Sequence, residues 1–187
     1  MTKRIVLTVA LVLCGLFAAG ALSAGRACAH DPRFACSPRS QSDPIVVADP
    51  GKSWAFYGSL AAGEEDHYVL KAPVRLRVPI GLLVDARDAA NPGRPAAVLV
   101  GADGRHIVRI DTSNTTDFYE PFSRVDYRAG PVRMVTLEPG TSTLVVSMEN
   151  GRAPQRYVLA VGEEERFSPL EIPYVLGAVY RIHNRRF

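Results

Sequence analysis

Cysteine is scarce: the 187-residue chain has three. Cys14 lies inside an apolar run, Cys28 stands just before a small-residue A-x-A site, and Cys36 follows shortly after it. That pattern excludes a disulfide-stapled mini-domain, and a chain of this length can bury a full core without staples. Signatures of catalysis are missing as well. There is no nucleophile elbow, paired zinc-ligand motif, phosphate-cradling glycine loop or haem attachment motif, so the chain reads as a non-enzyme. Tandem repeats and low-complexity tracts are also absent, which excludes a repeat array.

An excess of one charge sign is lacking too, once the first segment is set apart. Lys3 and Arg4 precede an uncharged apolar run from Ile5 to Ala24, and Ala27-Cys28-Ala29 closes the segment. This is the composition of a secretory signal peptide over 1–29, cleaved after Ala29, although the run is also long enough to remain as an uncleaved anchor. Both readings place the remainder outside the cytoplasm, periplasmic or secreted. Cleavage removes Lys3, Arg4 and Arg26 and no acid, so 22 basic residues against 19 acidic become 19 against 19. The sequence pI near 8.9 is therefore no sign of nucleic-acid binding. Cys36 is then left as a single thiol in an oxidising compartment, to be buried, to bind metal or to pair with another chain, whereas an earlier cut or a retained segment lets Cys28 and Cys36 bridge.

The centre of the chain is Ser53 to Leu83. Trp54, Phe56 and Gly58 alternate with Ala55, Tyr57 and Ser59, which gives one greasy face and one mixed face to a strand. Further on, Val74, Leu76, Val78 and Ile80 alternate with Arg75, Arg77 and Pro79. A one-residue slip there would drive two guanidiniums into the core, so the register is fixed. Pro79 suggests an edge or a bulge. Around this centre, residues 30–43 read as an extended arm and Ile45–Val47 as a first strand, with further strands at 67–71, 96–100, 106–110, 132–137, 143–148 and 156–161. Asp103-Gly104 marks the clearest hairpin turn. Residues 111–130 read as a long polar loop. Ser168-x-x-Glu171 with Pro169 resembles a capping box, and Ile172, Val175, Leu176 and Val179 follow at helical spacing.

The expectation is an all-β fold, an antiparallel β-sandwich or jelly roll over 44–165, with a helix and tail over 166–187. The helix packs on the sheet across its open edge, or meets a membrane surface through its basic end. Tyr57-Gly58-Ser59-Leu60, Gly63, Asp66-His67-Tyr68, Val98-Leu99-Val100 before Asp103-Gly104, and Arg156-Tyr157-Val158-Leu159 together resemble the bacterial pre-peptidase C-terminal type of β-sandwich, over about residues 53–162. That resemblance implies a noncatalytic accessory of a secreted enzyme.

Two candidate sites follow from residue chemistry. His30, as the first residue after cleavage, offers an amine and an imidazole to copper, with His67, His106 and Cys36 as partners and Met148 as a further soft ligand. The alternative is a plain junction histidine with His67 and His106 facing water. Phe118, Tyr119, Phe122, Arg124 and Tyr127, near Arg128, form an aromatic and arginine set suited to a protein or surface-polymer partner, or else tuck into the end of the sandwich. Asp111, Ser113, Asn114 and Asp117 have oxygen ligands at loop spacing for calcium, or simply an Asx-capped loop. The runs Glu64-Glu65-Asp66 and Glu163-Glu164-Glu165 read as charged turns.

Overall fold

The structure is a computed structural model. It describes residues 30–187 apart from 37, 89–92, 122, 149, 152, 167, 168 and 185, so the expected leader lies outside the described residues. Twelve strands and one helix are present among them: β1 Asp31–Phe34, β2 Ile45–Val47, β3 Trp54–Leu60, β4 Glu65–Ala72, β5 Leu76–Asp85, β6 Pro95–Val100, β7 His106–Asp111, β8 Thr116–Glu120, β9 Val125–Ala129, β10 Arg133–Leu137, β11 Gly140–Met148, β12 Gln155–Val161 and α1 Ile172–His183. They form a β-sandwich. One sheet runs β1-β3-β12-β5-β9-β8, with β10 also on β5, and the other runs β2-β4-β11-β6-β7.

Alternation places the core where the sequence reading puts it. Phe56 and Leu60 of β3, Val78, Ile80 and Leu82 of β5, and Leu159 and Val161 of β12 face Leu70 of β4, Leu99 of β6 and Leu144 and Val146 of β11 across the gap. Arg75 and Arg77 stay in water. The β6–β7 hairpin turns at Gly101–Arg105, where the Gly101 amide donates to the Arg105 carbonyl at 2.9 Å and Gly104 takes φ +77°. A side chain would be strained in that left-handed conformation.

Four expectations are corrected. The arm over 30–43 is not unpaired: Asp31–Phe34 adds to β3 as a parallel strand, and β2 joins β4 in parallel as well, so the sandwich begins at Asp31 and is antiparallel only away from these two edges. The loop over 111–130 folds as the β8–β9 hairpin. Pro79 lies on a central strand, between β10 on one side and the end of β12 on the other. Its carbonyl accepts from Gly162 at 3.0 Å, just past the last residue of β12. Within an extended residue the N–H and C=O point the same way, so the missing donor falls where the neighbour has already turned away. Finally, α1 begins at Ile172 with Glu171 as N-cap and no side-chain cap bond. Pro173 fits in the first turn, where its absent N–H costs nothing.

The helix lies beside β1, the outermost strand of the large sheet, as expected of a helix across the open edge, and its last turn reaches over that sheet's outer face. Ile182 packs with Ala55, Tyr57, Val125, Tyr127 and Val158, and Phe34, Leu83 and Phe187 border them. Phe187 sits 6.1 Å from Phe34 and 5.4 Å from Tyr57, ring centre to ring centre. The mixed face of β3 is thus a second, smaller core.

A buried polar chain joins the two sheets. Tyr68 of β4 and Tyr157 of β12 meet hydroxyl to hydroxyl at 2.7 Å, Tyr157 donates to Asp66 Oδ2 at 2.5 Å, and the Arg39 amide donates to Asp66 at 2.6 Å. Both tyrosines and Asp66 are fully buried. The ring of Tyr157 lies over Gly58, where a Cβ would stand 2.6 Å from it. Four residues that carry the family resemblance, Gly58, Asp66, Tyr68 and Tyr157, therefore meet at one point in space.

Candidate functional site

The expected metal ligands are dispersed. His67 lies on β4 and His106 on β7, with β11 and β6 between them in the same sheet. Three ladder steps of about 4.8 Å separate the two strands by about 14 Å, beyond the reach of one ion. His30 precedes β1 on the other sheet, and Cys36 is exposed just after β1. No group of three or more His, Cys, Asp or Glu able to hold a metal exists among the described residues. His67 instead approaches Glu65, Nε2 to Oε2 3.3 Å.

The oxygen-rich loop closes on itself. The Ser113 amide donates to Asp111 Oδ1 at 3.0 Å and its hydroxyl donates to the same oxygen, which holds the Asp111 carboxyl below its ordinary pKa. Asp117 lies on β8 and pairs with Arg128 at 3.1 Å. This is the Asx-capped turn.

The aromatic set divides. Phe118 and Tyr119 of β8 are 45% and 54% exposed, and Arg124 at the hairpin tip takes φ +55° in open solvent. Tyr127 of β9 turns the other way, buried under α1. Phe122 lies outside the described residues. Among those residues β8 pairs only with β9, so its second backbone edge is open. Sequence reasoning found the residues but not the strand that presents them, since β8 is exposed on both faces and has no alternating signal.

A groove of about 500 Å³ opens on the opposite side of the sandwich, and sequence reading missed it. It runs between β1 and β2, with Trp54 among its lining residues and Tyr174 and Arg181 of α1 closing over it. Arg33 stands over Trp54 at 5.2 Å and over Tyr174 at 4.9 Å, and Arg181 covers Phe34 at 4.0 Å. The guanidiniums are held on aromatic shelves. Behind them Asp31, fully buried, takes Lys52 Nζ at 2.7 Å and Arg33 Nη2 at 3.0 Å, and Glu171 lies 3.4 and 3.6 Å from the same two cations. Arg39, also in the lining, pairs with Asp43 at 2.5 Å. The lining comes from positions as far apart as 33 and 181, and no local pattern announces it.

A two-sheet module with an open aromatic edge on one side and an arginine-lined groove on the other is the class of object these features define. Among solved structures, the chain is similar to the pre-peptidase C-terminal domain of a collagenase from Bacillus anthracis, at 12% identity over 70% of this chain and 94% of that one, with a TM-score of 0.38. No protein-family model matches the chain, and no curated protein matches it. The β-sandwich assignment stands on the two sheets themselves. No helix among the described residues is long and apolar enough to cross a membrane.

Proposed function

We propose that this chain is an exported β-sandwich module that binds a protein partner and performs no chemistry of its own. The observation that carries the reading is β8: an outermost strand with Phe118 and Tyr119 standing in solvent on its two faces and one backbone edge open. Sheet edges are usually short, charged or covered because they invite pairing. Exposed aromatic anchors beside an open edge serve recognition, where few residues carry most of the energy. The buried titratable groups support a noncatalytic reading, since Asp66, Tyr68 and Tyr157 are spent on one another inside the core. Export is supported by the leader composition over residues 1–29.

Two measurements test this. Protein recovered from the envelope of its own host is expected to begin at His30, and recovery of the intact N-terminus from the cytoplasm would end the export reading. A photo-crosslinking residue at position 119, used in intact cells, is expected to give one discrete adduct. Phe118→Ala with Tyr119→Ala should cut capture of that partner at least tenfold, at about 1–3 kcal/mol per anchor, while thermal stability stays within about 0.5 kcal/mol. Adducts spread over many proteins, or unaffected by the double substitution, would remove the hairpin as the binding surface.

A further inference from the structure

The groove between β1 and β2 has a second property beyond its arginines. On the β2 wall Ile45, Val46 and Val47 all line it, and on the β1 wall Arg33 and Phe34 both do. Successive residues of a strand point to opposite faces. A groove touched by both parities runs along the strand edges. Among the described residues β1 pairs only with β3 and β2 only with β4, so each presents one unpaired backbone edge to this space.

The charges on its walls are uneven. Arg33, Arg39 and Arg181 face one carboxylate in the lining, Asp43, which is taken by Arg39. Arg33 is partly satisfied from behind by Asp31 and Glu171, while Arg181 gives its Nε to the Arg186 carbonyl at 3.0 Å and has no carboxylate within ion-pair distance among the described residues. Arg39 Nε is buried with no hydrogen-bond partner among them. Unused donors of fixed orientation suit carboxylates, which guanidinium forks bind with two hydrogen bonds.

From these observations we propose that the groove binds an extended acidic peptide, whose main chain pairs with the free edge of β2 and whose carboxylates are received by Arg33, Arg39 and Arg181. This site is separate from the β8 hairpin and does not depend on it. Strand addition supplies affinity through the backbone, and the arginines supply the choice of acidic side chains.

The chain has one tryptophan, Trp54, and it lines the groove, so its emission reports occupancy without a label. Titration of the intact protein with a capped hexapeptide alternating Glu and Val is expected to shift that emission and saturate. The Lys–Val counterpart should bind at least tenfold more weakly, and raising salt from about 50 to 500 mM should weaken the acidic peptide markedly, since exposed charges are screened over a few ångströms there. Methylating alternate peptide nitrogens, which removes the ladder donors, should also cost at least tenfold. Arg181→Glu should lower affinity by a similar factor, and Phe118→Ala should leave it unchanged. An unshifted emission, equal binding of the Lys peptide, or indifference to N-methylation would overturn the proposal. Phenylacetate binding as tightly as the peptide would overturn it too, since the groove would then be a small-carboxylate site.

Discussion

Tyr157→Phe is expected to lower the unfolding free energy by about 2–4 kcal/mol, because one missing hydroxyl leaves two buried groups, Asp66 Oδ2 and the Tyr68 hydroxyl, each without its partner. The ring and its packing over Gly58 are retained, so the loss isolates the polar chain. Chemical denaturation with unchanged m-value is the measurement, and a loss under about 0.5 kcal/mol would show that the chain contributes nothing net. Asp66 adds a pH signature. Burial, opposed by the bonds from Tyr157 and Arg39, raises its pKa above the ordinary 3.8. A carboxyl whose folded pKa is raised contributes stability that is fully present below the unfolded value and is lost as pH rises through the folded one. The stability of the wild-type protein relative to Asp66→Asn should therefore increase on acidification through that window, and a flat difference would place the carboxyl in contact with water.

Gly162→Ala is the other substitution with a large expected effect. Gly162 takes φ +77°, and a Cβ there would lie 2.2 Å from the Lys52 carbonyl oxygen and 2.6 Å from that of Pro50. Both obstacles are backbone, so no rotamer change relieves them. The same turn carries the amides of Glu163 and Glu164 to the Gly51 carbonyl and the Ser53 amide to the Glu164 carbonyl. Strain plus the loss of this seam should cost about 3 kcal/mol or more, or about 6–12 °C in Tm for a chain of this size. Gly63 also has positive φ, at +82°, but has open space around it. Gly63→Ala should cost only about 1 kcal/mol, and equal losses at the two sites would mean that the contacts at Gly162 do not matter.

Sequence reading succeeded where a strand has one face buried and one wet. The start of β5 is of this kind, with Arg77 in water beside buried Val78, and the β6–β7 hairpin is legible for another reason, the Asp-Gly turn written locally between its strands. It failed where backbone pairing alone makes the strand. Asp31-Pro-Arg-Phe has no period, yet it extends along β3 and buries Asp31 against Lys52 and Arg33. In β8 both faces are exposed, so its residues carry the polarity of a loop. Asp66 escapes for a different reason: beside Glu64 and Glu65 it has the look of a charged turn, whereas its parity with Tyr68 and Leu70 on β4 points inward. Alternation alone puts Trp54 and Phe56 on one face of β3, but that Trp54 also borders a groove depends on α1, which starts more than a hundred residues later.

Strand β12, near the end of the chain, sits between β3 and β5 in the large sheet. No growing polypeptide that stops short of Gln155 can complete that layer, and the two early strands have nothing to bridge them until then. Closure of such distant segments is slow. Truncation before Gln155 would leave β3 and β5 each with a bare backbone edge where β12 belongs, so the layer is keyed from its middle rather than extended at its rim.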